Sequence, residues 1–423
     1  MNTHDAGQLQ QYYSDFNVSE RILLSGHSHQ AWPDVAKQGV LDCYNDAALH
    51  IDDKWGLALA KADKVRDFYR QLMGEANGQI ALGSSTHELI LRFISDLDYF
   101  TTASSSASAA HSNSSSDTHS NSSSDNSLKT QPKRPLKIVT TDGEFHSLRR
   151  QLQRLQELNC AIEVVPVFPS DTLAQRVIDK IDAETDAVML SAVFFNTSEI
   201  FYDVGLVAKA AKSLNVPCLV DAYHALNVVP FNLAEWQLES AFIVAGGYKY
   251  CQAGEGNCMM RIPAGYHGNP IITGWYAEFD VLDQVPGKVG YGHGQSAFAG
   301  STYDPTSHYR ACAVFDFFKQ QQLTDIVLRD INQAQIARLW QGIEAIGADK
   351  AGLALPQHEL SANGGFLSLT TPHAANWVQL LTNNNVLCDS RGSQLRLGAA
   401  PYVTNTQIDH ALNIIEDSYS SVG

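Results

Sequence analysis

Four absences narrow this 423-residue chain before any motif is read. No stretch approaches the roughly 18 consecutive apolar residues of a membrane-spanning helix. The N-terminus, MNTHDAGQLQQYY, is polar and lacks the apolar core of a secretory signal, so a cytoplasmic location is expected. The cysteines lack a pattern. Cys43, Cys160, Cys218, Cys251, Cys258, Cys312 and Cys388 are odd in number and scattered, with no CxxC pair. That excludes a disulfide framework and a zinc site, and no metal is expected. Basic residues are in deficit: 29 Lys and Arg stand against 45 Asp and Glu, a net charge of −16. Such a chain is a poor partner for nucleic acid or an anionic membrane. One local basic site would still suffice to hold a phosphate.

What is present reads as a large α/β protein. The length and 44% hydrophobic content support a substantial core and more than one domain. Residues 1–20 are polar and predict an arm or short helix. Residues 34–73 have helical spacing, broken near Asp52-Asp53. Gln79–Leu82 reads as a strand and His87–Leu97 as a helix. Residues 102–134 are serine-rich, with two copies of HSNSSSD at His111–Asp117 and His119–Asp125. They carry no apolar periodicity and predict a disordered surface insertion.

From Pro135 strands and helices alternate. Strands are expected at Leu136–Thr140, Ala161–Phe168 and Ala187–Phe195, with helices at Phe145–Leu158, Thr172–Ile181 and Val204–Leu214. Alternation of this kind implies a mainly parallel sheet. After Gly300 the pattern changes to long helices, Tyr309–Gln322 and Leu323–Ile346. Strands at Gly365–Leu369 and Leu395–Gly398 then flank a helix at Ala374–Leu381, and Thr406–Ser418 is a final helix. The domain reading is an N-terminal arm (1–50), a large domain (51–300) and a small C-terminal α+β domain (301–423).

The stretch from Val216 to Pro263 organises the chain. Its apolar run Cys218-Leu219-Val220 ends on Asp221, with His224 three residues on. A second run, Ala241–Ala245, ends on Gly246-Gly247-Tyr248-Lys249-Tyr250, and a third covers Asn257–Ile262. Buried strands look like this, and ligands of such sheets bind at the strands' carboxyl ends. Asp221 and Lys249 are therefore expected to face one cleft. An aspartate for a pyridinium nitrogen and an amine for covalent attachment are what pyridoxal phosphate (PLP) requires. Asp221 could instead cap a helix and His224 could be a packed core residue. The preceding glycines would let backbone approach a ligand closely.

Other residues extend the set, each with a plainer alternative. Gly83-Ser84-Ser85-Thr86 before a helix suits a phosphate, though simple N-capping needs only one of them. Phe145 could stack on a cofactor ring or fill the core. Arg396 within the apolar Leu395-Arg396-Leu397 suits a substrate carboxylate, or an internal salt bridge with a residue such as Asp389.

Taken together, these residues resemble fold type I PLP-dependent enzymes of the class V aminotransferase group, kynureninases most closely. The likeness covers nearly all the chain outside the serine insertion. Asp221-Ala222-Tyr223-His224-Ala225 is similar to the family's D-L-A-H-A, and Tyr248-Lys249-Tyr250 to its Y-K-Y. The resemblance implies Lys249 as the catalytic, covalently attached lysine. It implies Asp221 and His224 as PLP contacts, with Tyr248, Ser85 and Thr86 at the phosphate and Phe145 against the ring. Ser191 and Thr197 fall near further PLP contacts. Trp275 of Gly274-Trp275, and Thr302, match phosphate contacts reaching across from a partner subunit, which implies a homodimer with composite sites. Arg396, in L-R-L-G-A-A-P-Y, matches the family's arginine for the substrate carboxylate. His27 and Ser28, in Gly26-His27-Ser28-His29-Gln30, and His50 fall in the substrate region. There the chain departs from the family: only Gly26 and Ser28 match its G-N-S-L-G, and Leu148 replaces an aspartate.

Three functions follow in order. The first is hydrolysis of the Cβ–Cγ bond of an aryl-ketone amino acid. The second is transamination or another class V reaction on a different amino acid. The third is a binding module that retains the fold without activity, against which intact Lys249, Asp221 and Arg396 argue. Cysteine desulfuration fits less well, because no cysteine falls in an obvious loop of the matching region.

Overall fold

A computed structural model describes residues 5–100, 134–282, 289–418 and 422. The serine-rich insertion expected at 102–134 lies outside the described residues, apart from Arg134. Among the described residues the strands are, in chain order, β1 (Ile22–Leu23), β2 (Gln79–Gly83), β3 (Lys137–Thr141), β4 (Ala161–Val165), β5 (Ala187–Ser191), β6 (Cys218–Asp221), β7 (Phe242–Gly246), β8 (Cys258–Ile262), β9 (Leu367–Thr370), β10 (Val386–Leu387), β11 (Asp389–Arg391) and β12 (Gln394–Leu397).

The central sheet has seven strands in the order β2-β8-β7-β6-β5-β3-β4. Strands β4, β3, β5, β6 and β7 pair in parallel, while β8 is antiparallel to both its neighbours, β7 and β2. Only β8 therefore runs backwards. The carboxyl ends of β2, β3, β5, β6 and β7 share one edge of the sheet, and the residues after them meet there. Every residue of β5, β6, β7 and β8 is buried. Alternate side chains enter different cores, as strand periodicity requires. Val188, Leu190, Val220, Ile243 and Ala245 join one apolar cluster, and Ala187, Met189, Leu219, Phe242 and Val244 the other. The result is a mainly parallel sheet sandwiched between helices.

The C-terminal region adds an antiparallel sheet, β11-β12-β9, with helices at Asp325–Ile346, Ala374–Asn383 and Asn405–Ser418. The N-terminal segment joins it: β1 pairs in parallel with β10, and Gly26 N–H donates to the Gly398 carbonyl at 2.7 Å. Residues 34–73 form two helices, Val35–His50 and Lys54–Leu72, divided at Asp52-Asp53. The first crosses helix Thr306–Gln320 so closely that a Cβ on Gly39 would lie 2.7 Å from the Tyr309 carbonyl oxygen. Strands β1, β10 and β11 have only two or three residues each, too few to show a period in sequence.

Candidate active site

A cavity of about 220 Å³ opens at the shared strand edge. Its walls include Ser85, Thr86, Phe145, Ser191, Asp221, His224, Tyr248 and Lys249. Topology explains the convergence. Ser191 ends β5 and lies in register with Asp221, which ends β6. Ser85 and Thr86 follow β2, Phe145 follows β3, and Lys249 follows β7.

Lys249 is 4% exposed, and its Nζ lies 2.6 Å from His224 Nε2. The amine is ringed by Tyr223, Phe145 and Tyr248, whose ring centroids lie 5.0, 5.2 and 5.8 Å away. Burial lowers its pKa from 10.5 to about 7, against the raising charge of Asp221. Much of the amine is then unprotonated and nucleophilic near neutrality. Burial also holds the His224 imidazole well below its usual range, helped by the positive charges of Lys249 and Arg396. Neutral His224 can thus accept from Lys249, and its buried Nδ1 has no partner. Asp221 Oδ1 accepts the Tyr223 N–H at 2.8 Å. Burial raises the Asp221 pKa, opposed by that N–H and by Lys249. A cationic ring nitrogen at Asp221 would relieve this strain on the carboxylate.

At the opposite wall, Ser85 caps helix Thr86–Ser95 by accepting the Glu88 N–H at 3.2 Å. N-capping is therefore its role in the protein alone. Glu88 also accepts from Ser84, through its N–H at 3.0 Å and its hydroxyl at 2.8 Å, and pairs with Arg92. The Glu88 carboxylate thus takes up the Ser84 donors just ahead of this helix N-terminus, an end where negative charge is favoured. The glycines before Lys249 also allow close approach by the protein's own side chains. A Cβ on Gly247 would meet Asn257 Oδ1 at 2.0 Å, and one on Gly246 would meet the Tyr223 hydroxyl at 2.3 Å. Both serve packing of the lysine loop against the protein itself.

The remaining sequence candidates lie elsewhere. Thr197 Oγ1 accepts the Glu199 N–H at 3.3 Å in a turn beyond the cavity. Trp275 Nε1 donates to Thr302 Oγ1 at 3.2 Å. Thr302 lines a neighbouring cleft of about 790 Å³, which shares Ser84, Glu255 and Gly256 with the cavity. His50 is exposed at the end of its helix, and Ser28 is half-buried beside His29. Arg396 and His27 are buried next to the site and both bond Asp389. The internal salt bridge is thus realised. Glu144 escaped sequence reasoning. It is 1% exposed, accepts from Thr141 Oγ1 and Ser191 Oγ at 2.6 Å each, and has no cation among its bonded partners. A Glu immediately before Phe145 was its only signal.

An acceptor carboxylate, a depressed lysine, an unpartnered histidine nitrogen, an aromatic wall and a helix entrance together fit PLP. Fold and site define a fold type I PLP-dependent enzyme. Residues 60–258 match the aminotransferase class-V family model. It is 19% identical to an uncharacterised aminotransferase, YcbU, of Bacillus subtilis (strain 168), over 94% of both chains. It is 23% identical to the kynureninase of Yarrowia lipolytica (strain CLIB 122 / E 150), over 68% of this chain and 71% of that one. Similar solved structures include the apo cysteine desulfurase of Thermococcus onnurineus NA1, with a TM-score of 0.75, 15% identity and 98% coverage of both chains. The Escherichia coli cysteine desulfurase CsdA gives a TM-score of 0.76 at 13% identity over 100% of both chains. Among the described residues no helix is long and apolar enough to cross a membrane.

Proposed function

We propose that this enzyme hydrolyses the Cβ–Cγ bond of an amino acid bearing a side-chain ketone, as a kynureninase does. The observation that carries the reading is the buried Lys249 amine, within 2.6 Å of His224 and beside Asp221. When bound, PLP supplies an aldehyde for amines and a ring that accepts electron density from the substrate α-carbon. Lys249 would hold it covalently. Asp221 would keep the ring nitrogen protonated, Phe145 and His224 would pack against the ring, and Ser191 and Thr197 would add contacts. Ser85, Thr86 and Tyr248 would hold its phosphate, joined by Trp275 and Thr302 from a second copy.

The Lys249 amine would take the substrate α-proton, and a pKa near 7 suits that task. Arg396 would hold the substrate carboxylate, with His27, Ser28 and His50 around the rest of the substrate. A desulfurase-like reaction is disfavoured: Cys258, the cysteine on the cavity wall, is buried and its thiol is pushed up to about 11, burial being the main cause. A homodimer is supported by exposed Tyr44, Leu49 and Ile51, and by exposed Ile272, Trp275 and Phe279 near the cleft. The reading places the enzyme in the cytoplasm, the arm (1–50) with the small domain (301–423), and the cofactor on the large domain (51–300).

Amino transfer is the second reading, supported by likeness to YcbU over nearly the whole chain. Purified protein should show the visible absorbance of protein-bound PLP, and Lys249→Ala should lose it. Survival of that band in the variant would refute the lysine assignment. Titration with kynurenine and 3-hydroxykynurenine should release an aromatic amine and alanine. Amino transfer that depends on an added keto acid, without that release, would favour the second reading.

A further inference from the structure

Arg396 lies in register with Asp389 across the β11–β12 ladder. Its guanidinium is already engaged. Nε donates to Asp389 Oδ1 at 2.8 Å, Nη2 to Oδ2 at 2.5 Å, and Nη1 to the Phe195 carbonyl at 2.7 Å. An incoming carboxylate thus meets an arginine whose bidentate edge is occupied by a carboxylate of the protein.

The rest of the cluster shows where Asp389 can go. His27 Nε2 lies 2.8 Å from Asp389 Oδ1, and Arg391 Nη2 lies 3.6 Å from Oδ2. The side chains of His27 and Arg396 are 0% and 4% exposed, whereas those of Asp389 and Arg391 are 20% and 42% exposed. The outward pair can move while the inner pair stays fixed. Burial pushes the His27 pKa down to about 4 despite its bond to Asp389, so at neutral pH it gives a hydrogen bond but no charge. Two guanidiniums and one carboxylate leave one net positive charge, which matches one further carboxylate. A buried arginine without a partner is costly, so the cluster needs Asp389 when substrate is absent.

We propose that Asp389 is a latch on the substrate-carboxylate site: it holds Arg396 in the free enzyme, and an entering carboxylate displaces it toward Arg391 while His27 retains it. Asp389 thereby sets the affinity threshold for carboxylate substrates. The inference rests on the reading of Arg396 as the residue that receives the substrate carboxylate.

The test uses holoenzyme and two probes, L-alanine and L-alaninamide, which lacks the carboxylate. Binding is read from the change in cofactor absorbance. Asp389→Asn should tighten L-alanine roughly tenfold, as removal of a competing charge-assisted pair would, and leave L-alaninamide unchanged. Arg391→Gln, at an exposed position, should weaken L-alanine several-fold, because Asp389 then loses its second cation. Arg396→Ala should abolish the preference for L-alanine over L-alaninamide. If that preference survives Arg396→Ala, the underlying assignment of Arg396 fails. If it is lost but Asp389→Asn weakens L-alanine or leaves it unchanged, Asp389 merely supports Arg396 and the latch is refuted. Should Asp389→Asn not fold, unchanged L-alanine binding in Arg391→Gln overturns the proposal.

Discussion

Glu144 gives the sharpest quantitative test of the site's electrostatics. It lies just past the carboxyl end of β3, fully buried, and among the described residues it bonds only the Thr141 hydroxyl and the hydroxyl and N–H of Ser191. Burial raises its pKa from 4.5 to about 8, against those hydrogen bonds, and the charge of Asp221 raises it further. The folded protein therefore holds this proton between pH 4.5 and 8 while the unfolded chain releases it. The unfolded state binds fewer protons in that window, so stability falls as pH rises through it. The gap between 4.5 and about 8 corresponds to on the order of 5 kcal/mol at about 1.4 kcal/mol per pH unit. About half of that should develop between pH 5 and pH 7.

Glu144→Gln keeps the shape and cannot ionise. Its amide N–H can replace the carboxylic O–H toward Ser191 or Thr141, whose hydroxyls rotate to accept. The variant should match wild type near pH 4.5 and exceed it by about 3 kcal/mol at pH 7, with a plateau above pH 8. Equilibrium urea unfolding of both proteins at fixed concentration, from pH 5 to 9, measures the gap. Comparing the two cancels the contribution of Lys249, whose lowered pKa makes stability rise with pH between about 7 and 10.5. A gap that stays constant from pH 5 to 8, or a variant weaker throughout, would mean that Glu144 is ionised in the fold. The reasoning would then be wrong.

Three other perturbations separate cofactor binding from fold. Asp221→Asn should retain PLP absorbance while turnover falls about a hundredfold or more, because the ring nitrogen loses its anionic partner; undiminished kcat would sink that role. Gly247→Ala drives a Cβ into Asn257 Oδ1, the side chain that ties down the Ala253 and Gly254 carbonyls at 3.0 Å. PLP affinity should drop at least several-fold, with most of the unfolding free energy kept, and an unchanged PLP Kd would show that the lysine loop tolerates displacement. Trp377→Ala empties one of the largest fully buried side chains of the C-terminal region. It should cost about 3–5 kcal/mol in urea unfolding, and a loss under about 1 kcal/mol would show that helix Ala374–Asn383 repacks freely.

The large sheet was legible because its strands carry two signals at once. Runs such as Leu219-Val220 and Ile243-Val244-Ala245 are continuous and apolar because both faces of the sheet are covered. The first ends on Asp221, and the second on a glycine pair ahead of Tyr248 and Lys249, where the strands meet the cavity. The cofactor half of the site follows directly, since strand ends bring Asp221 and Lys249 together whatever the register. The reversed direction of β8 was not legible, because an apolar run has no arrow. The substrate half is built differently. His27, Asp389 and Arg396 meet only because two-residue β1 pairs with β10 and because Asp389 faces Arg396 across a short ladder. Those contacts span 362 and 7 residues, and neither spacing carries a period. An arginine in an apolar strand announced that a carboxylate must lie against it, but not whether substrate or protein supplies it. The register shows that the protein's own Asp389 holds the arginine; on the reading proposed above, a substrate carboxylate would enter by exchange with it rather than by filling an open pocket.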